Sequence, residues 1–251
     1  MTQSPISARA PRLRGARALF TGRAGGVSAA PFDSLNLARH VGDDPEAVEA
    51  NRALLAREIG LPLVFVEQVH SADVLVLRSG GARGEESSIA TADALVTDRT
   101  DIALAIMVAD CVPVLLSDPV AGVIGAAHAG RRGLLGGVLE ATAAAMAALG
   151  ADPARTEAAI GPAVCGRCYE VPEAMQEEAV AALPAARSTT RSGTPALDLP
   201  AGAAAALVRA GLAPERIDAG APCTLEDERW FSYRRSARTG RFVGAIRRAG
   251  T

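Results

Sequence analysis

Apolar residues run almost unbroken through two stretches of the chain, residues 102–108 (IALAIMV) and 123–127 (VIGAA). Runs of this length, bounded by Gly, Pro and Asp, predict buried strands. Further strands are predicted at 63–70 (LVFVEQVH), 73–77 (DVLVL), 92–97 (ADALVT) and 157–161 (EAAIG). Elsewhere the period lengthens to that of a helix. Residues 45–59 open with Asp44 as N-cap and Pro45 at the first helical position, and Gly60 closes them. Val48, Leu55 and Ile59 share one face of this helix, and Arg52 lies on the same face. Residues 133–149 predict a helix stopped by Gly150; 173–183 and 200–211 predict two more, with a loop over 187–195 between them. Near the C-terminus, 229–235 and 241–246 predict a hairpin turning at 237–240.

The remaining segments are irregular. Residues 1–16 are polar and rich in Arg and Pro, and read as a loose leader. Residues 79–88 read as a solvated loop. The stretch from Gly22 to Pro45 carries turn residues throughout, which suits a binding loop whose polar candidates are Asn36 and His40. Strand and helix signals alternate with no internal repeat and no domain boundary. They lack the steady rhythm of a βα barrel, so the expected fold is a single α/β (α+β) domain over 17–251, built of layered mixed sheets and helices.

Composition narrows the chemistry. The chain is 49% hydrophobic and 22% charged, as expected for a soluble globular protein. A net charge of −2 gives no electrostatic case for a nucleic-acid partner or an anionic membrane surface. Every basic side chain is Arg; with no Lys, Schiff-base chemistry and a Walker-type phosphate loop are excluded. No apolar run reaches the ~18 residues of a membrane span, and the N-terminus lacks the apolar core of a signal peptide. Four Cys in 251 residues do not make a disulfide scaffold, so a cytoplasmic location with reduced thiols is expected. The sequence leaves the oligomeric state open.

Three apolar strands end in, or just before, reactive side chains: His70, Cys111 and His128. Two imidazoles and a thiolate fit a catalytic zinc centre, which keeps a position open for water or substrate. Cys111 and His128 alone fit a nucleophilic pair, and the same three residues suit a blue-copper centre. Asp110 and Gln68 stand beside these residues as candidate catalytic groups, carrying protons or orienting ligands. Arg131 and Arg132 follow His128 at a helix start, an anion site by position. Arg52 on a buried stripe suggests an anion partner, with Asn51 beside it. Tyr233, Arg234 and Arg235 combine a ring face with guanidinium groups. Cys165 and Cys168 form a lone CxxC without a second pair or a nearby His, and read as two partly buried thiols.

The motifs SLNLARHVGDDPEAVEANR, EQVH, ADALVT, VADCVPVLLSDP, GAAHAGRRG, IGPAVCGRCYEVP, LDLP and FSYRRSARTGR follow one another over about residues 18–247. In this order they resemble the laccase-domain, or YfiH-type, family, whose members have been called polyphenol oxidases, purine nucleoside phosphorylases and peptidoglycan editing factors. The resemblance implies a layered α/β domain with metal ligands His70, Cys111 and His128. It implies zinc as the metal, with copper the alternative. It implies phosphorolysis of adenosine, inosine, guanosine and 5′-methylthioadenosine to base and ribose 1-phosphate, accompanied by adenosine deamination. The partners are then a purine nucleoside and phosphate. Arg52 falls on the family's substrate-contacting arginine, while Asn36, Gln68 and Arg235 fall in other family motifs as pocket residues. Editing of peptidoglycan precursors as an amidase and copper-dependent polyphenol oxidation are the alternative activities. The sequence departs from the pattern at Arg131, where the family commonly has Trp, and at Ala109, where it commonly has Thr.

Overall fold

A computed structural model describes residue 6, residues 8–80 and residues 90–249. Alternation along the strands decides how its layers stack. In β6 (Ala103–Val108), Leu104, Ile106 and Val108 enter one apolar cluster, while Ala103 and Ala105 enter another on the opposite face. Successive strand side chains point to opposite faces, so a strand buried on both sides must lie in an inner layer. A five-stranded sheet runs in the order β1 (Ala8–Arg9), β2 (Ala16–Thr21), β13 (Phe242–Arg248), β6 and β3 (Leu63–Val64). A six-stranded sheet runs β12 (Ile217–Asp218), β9 (Glu157–Ile160), β7 (Val112–Asp118), β8 (Val123–Ala129), β5 (Ala94–Thr97) and β4 (Val74–Leu77).

Phe20, Leu104, Ile106, Phe242 and Ile246 of the first sheet meet Leu95, Leu115, Ile124 and Ala126 of the second in one buried core. The helix α1 (Pro45–Ile59) covers the outer face of the first sheet, with Leu55 and Ile59 against the small residues Ala103, Ala105 and Ala245. Four helices, α2 (Arg131–Leu135), α3 (Val138–Ala147), α4 (Glu173–Ala182) and α5 (Leu199–Arg209), cover the outer face of the second. The order of layers is helix, sheet, sheet, helix, which is the layered α/β arrangement expected.

Several expected elements take a different form. The strand expected over 63–70 ends at Val64, because beyond it the side chain of Gln68, not the backbone, pairs with β6. The helix expected over 133–149 breaks at Gly136 and Gly137, where Gly137 takes a left-handed φ of 89° that restarts the chain as α3. The loop expected over 187–195 contains a small hairpin, β10 (Arg187–Thr189) with β11 (Pro195–Leu197), closed by Thr190 bonding to Thr194. The C-terminal hairpin does not form. Its second half is β13, paired with β2 on one side and β6 on the other, while Arg235 caps the carbonyls of Thr224, Leu225 and Trp230 and folds its first half into turns.

The N-terminal stretch expected to be loose is partly seated: Ala8–Arg9 pairs with β2, and Ile6 and Leu13 are buried. Residues 81–89, most of the loop expected over 79–88, lie outside the described residues. Among the described residues no helix is long and apolar enough to cross a membrane.

Leu115 is fully buried between the two sheets. Truncation to Ala is expected to cost about 3 kcal/mol, read as a lower denaturant midpoint with an unchanged slope.

Candidate metal centre

The chain crosses from the first sheet to the second between β6 and β7, through Ala109, Asp110 and Cys111. Asp110 makes this crossing with a φ of 83°, a conformation side chains rarely adopt. Three contacts hold it there. The Thr224 hydroxyl donates to Oδ1 at 2.6 Å, the Arg234 amide donates to Oδ2 at 2.7 Å, and the Val164 amide donates to the Asp110 carbonyl at 3.0 Å. Cys111 follows directly and is thereby fixed at the open end of the sandwich.

His128 arrives from β8. It continues the alternation of Ile124 and Ala126, so its ring points between the sheets. His70 arrives on a loop and also has a positive φ, 63°. One buried carboxylate organises both. Asp93 accepts from the backbone amides of Val69 at 3.1 Å, His70 at 3.0 Å and Ser71 at 2.6 Å, and bonds the ring of His128 through Nδ1 at 2.7 Å. Burial works to raise the Asp93 pKa, but the bonds from His128, Ser71 and Val69 outweigh it and hold the carboxyl at about 2.

The ligand atoms of His70, Cys111 and His128 all lie within 4.8 Å of one another. The Cys111 sulfur is 3.7 Å from His70 Nε2, and the two imidazoles meet edge-on with centroids 4.7 Å apart. With Nδ1 of His128 on Asp93, Nε2 is left for the centre, the carboxylate–histidine arrangement that orients metal ligands. Burial pushes the Cys111 thiol up, but the charges and hydrogen bonds of His128 and His70 pull it down to about 6, so it stands as a thiolate at neutral pH. Burial lowers His128, and the opposing pull of Cys111 and Asp93 raises it to about 9. His128 is buried, Cys111 half-buried and His70 exposed, so the centre opens to solvent on one side. A methyl group added at Gly130 would come within 2.5 Å of the His70 ring and 3.2 Å of the Cys111 sulfur. The donor set, its spacing and its glycine floor fit a single ion of the zinc class with an open position.

Cationic side chains gather beside this centre. Arg241 is half-buried; burial lowers its pKa, while the charges of Cys111, Asp110 and Tyr233 favour its charged form. His40 is lowered by burial and then by the charges of Arg241 and Arg52. Arg52 is lowered to about 10, by burial first and then by Arg39. Its guanidinium lies 4.0 Å over the Phe65 ring and donates to the Leu37 carbonyl at 2.9 Å. Asn51, not Arg52, is the fully buried polar residue of the helical stripe; its amide bonds Ser28, Ser34, Asn36 and Val27 and ties α1 to the preceding loop.

Gln68, Asn36 and Arg235, also singled out in the sequence, have structural partners. Gln68 bonds both backbone groups of Met107, at 2.8 and 2.9 Å. Asn36 is buried, with its amide engaged by Ala38, Asp43 and the Arg241 backbone. Arg235 is spent on the carbonyls described above. Arg131 is the first residue of α2 and is half-buried. Sequence reasoning missed three residues: Asp93, Arg241 and the role of His40. Asp93 had a legible signal, a carboxylate set at the start of an otherwise apolar strand. Arg241 had none, since it is one Arg among many near the C-terminus.

Residues 17–249 match a family profile described as multi-copper polyphenol oxidoreductase laccase. A Streptomyces griseus protein named as a purine nucleoside phosphorylase is 52% identical over 240 residues, 94% of this chain and 96% of its own. A crystal structure of a Neisseria meningitidis protein superposes with a TM-score of 0.86 at 36% identity, covering 98% of this chain and 100% of that one. The Bacillus licheniformis hypothetical protein YfiH superposes with a TM-score of 0.84 at 32% identity, covering 93% of each chain.

Two outcomes are expected. Because the Asp93 carboxyl is held below its ordinary value of about 3.9, its stabilisation is present above about pH 4 and lost as pH falls through 2. Asp93→Asn is therefore expected to cost about 3 kcal/mol near neutrality. In denaturant unfolding, the gap between variant and wild type should narrow as the pH is lowered from about 4 to 2. Gly130→Ala is expected to fold but to lose on dialysis the ion held by His70, Cys111 and His128, as read by elemental analysis against wild type.

Proposed function

The chain belongs to the multi-copper polyphenol oxidoreductase laccase family, and from that membership we propose that it is a zinc-dependent purine nucleoside phosphorylase. Its substrates are adenosine, inosine, guanosine and 5′-methylthioadenosine, with adenosine deamination as an accompanying activity. The observation that carries this reading is one juxtaposition. A His₂Cys donor set open on one side adjoins two guanidinium groups, Arg52 and Arg241, and the imidazole of His40, a set that suits a phosphate. Tyr233, exposed and 5.7 Å from the Arg241 guanidinium, offers a ring face for a purine. Relatives carrying the phosphorylase name support the same reading.

The chain's own residues then divide the work. Arg52, Arg241 and His40 bind phosphate and aim one oxygen at the ribose anomeric carbon. A bond forms from that oxygen to C1′ as the C1′–N9 bond breaks, and the purine leaves with the electron pair and takes up a proton. Positioning of this kind is worth several kcal/mol of barrier. His70, Cys111 and His128 would hold the ion, which when bound supplies Lewis acidity and activates water for deamination at C6. Asp110 and Gln68 serve as positioning residues: the first sets Cys111, and the second sets the loop that carries His70. Asn36 and Arg235 act on the pocket through the segments they hold, Asn36 by fixing the Arg241 backbone. Copper is the alternative metal. Three histidines in the whole sequence supply one such centre, not the several of a multicopper oxidase.

The test is a nucleoside panel with and without inorganic phosphate, with product analysis and metal content measured together. Phosphate-dependent adenine release, a zinc content lower than wild type in His70→Ala, and a phosphate KM raised about tenfold or more in Arg241→Gln are expected. Full activity in metal-free protein, or base release indifferent to phosphate, would overturn the reading. Release of an amino acid from a muramyl precursor, with nucleosides untouched, would favour the amidase instead.

A further inference from the structure

Away from this centre, a second group of metal-ligating side chains converges. The sulfurs of Cys165, Cys168 and Cys223 and a carboxylate oxygen of Glu226 all lie within 4.8 Å of one another. All three thiols are free. Residues 165–168 form a tight turn in which the amides of Cys168 and Tyr169 donate to the Cys165 carbonyl at 2.9 and 3.0 Å. Gly166 makes the turn possible: a methyl group there would lie 2.6 Å from both the Asp198 side chain and the Ser188 hydroxyl.

Cys223 is brought in from a distant segment by a parallel bridge to Ala163, with the Thr224 amide donating to the Ala163 carbonyl at 3.0 Å. The Cys165 amide donates to the Cys223 sulfur at 3.4 Å, which ties the two segments together. Cys168 lies 3.5 Å from Glu226, which also pairs with Arg191.

We propose that Cys165, Cys168, Cys223 and Glu226 form a second, structural site for a zinc-class divalent ion. Tetrahedral ligands at about 2.3 Å from zinc stand about 3.8 Å apart, so the cluster needs only a small contraction to close on an ion. Four protein ligands leave no open position, which makes the site a brace and not a reaction centre. What it braces follows from its chain neighbours. Val164, next to Cys165, bonds the Asp110 carbonyl, and Thr224, next to Cys223, bonds the Asp110 carboxylate. The ion thus ties together two of the three segments that grip Asp110, and through it sets Cys111.

The test is metal stoichiometry. Wild-type protein dialysed against metal-free buffer is expected to retain two zinc per chain. The double variant Cys111→Ser/His70→Ala is expected to retain one. Its cobalt form should show thiolate-to-metal charge transfer and intense tetrahedral visible bands, which the three remaining cysteines alone can supply. Adding Cys223→Ser should abolish both the retained ion and the bands. Thiol titration of the wild type with a mercurial, which needs no variant to fold, should release two zinc per chain. The proposal is overturned if the folded double variant retains no metal and gives no charge transfer. It is equally overturned if protein prepared without reductant holds any two of Cys165, Cys168 and Cys223 as a disulfide. Neither result depends on which reaction the first centre performs.

Discussion

The Asp93 carboxylate is the contact on which the rest of the site depends. It sits at the start of β5, wholly buried, and takes three backbone amides from one loop and an imidazole from the neighbouring strand. A buried charge survives only where its lone pairs are satisfied, and here satisfying them is what brings His70 and His128 together. The backbone of His70 is held in a left-handed conformation by the same bonds, so its strain is offset locally and not by the distant core. The candidate metal centre is therefore a consequence of an anion inside the protein as much as of its donor residues.

The sandwich supplies the rest. A chain that must leave one sheet and enter the next has few conformations that do so within three residues, and Asp110 adopts one of them. Placing Cys111 at that crossing gives the thiolate a backbone that the two sheets fix from either side. The two histidines of the centre come from the second sheet and from the loop feeding it, while Arg52, His40 and Arg241 come from α1, its preceding loop and the segment entering β13. Two of the three candidate metal ligands, Cys111 and His128, thus rest on the inner layers, and the candidate anion-binding groups on their rim.

Legibility in the sequence followed the range of the interaction. The α1 helix could be read to its ends because Asp44, Pro45 and Gly60 act within one turn of the residues they delimit. The apolar runs of β6 and β8 could be read because burial on both faces leaves no polar residue to confuse the pattern. The strand β7 between them was not separately foreseen, since Pro113 and Ser117 interrupt its apolar run. The C-terminal strand was assigned to a hairpin because its true partners, β2 and β6, are more than a hundred residues upstream. Within the site, His70, Cys111 and His128 stood out as rare reactive residues after apolar strands. Asn36, Gln68 and Arg235 stood out equally, yet their polar atoms are spent on backbone groups that no local pattern reveals. The pairing of Cys223 with a CxxC more than fifty residues away was likewise invisible to spacing.

Gln68 has one more bearing on how the molecule behaves in company. Where β3 stops, Met107 would present an unpaired N–H and C=O along the margin of its sheet. An open margin of that kind is a template for another chain to add a strand. A single side-chain amide, matching both groups at once, seals the gap without contributing a strand of its own. The loop that presents His70 is thus also the guard of this stretch of the sheet's edge.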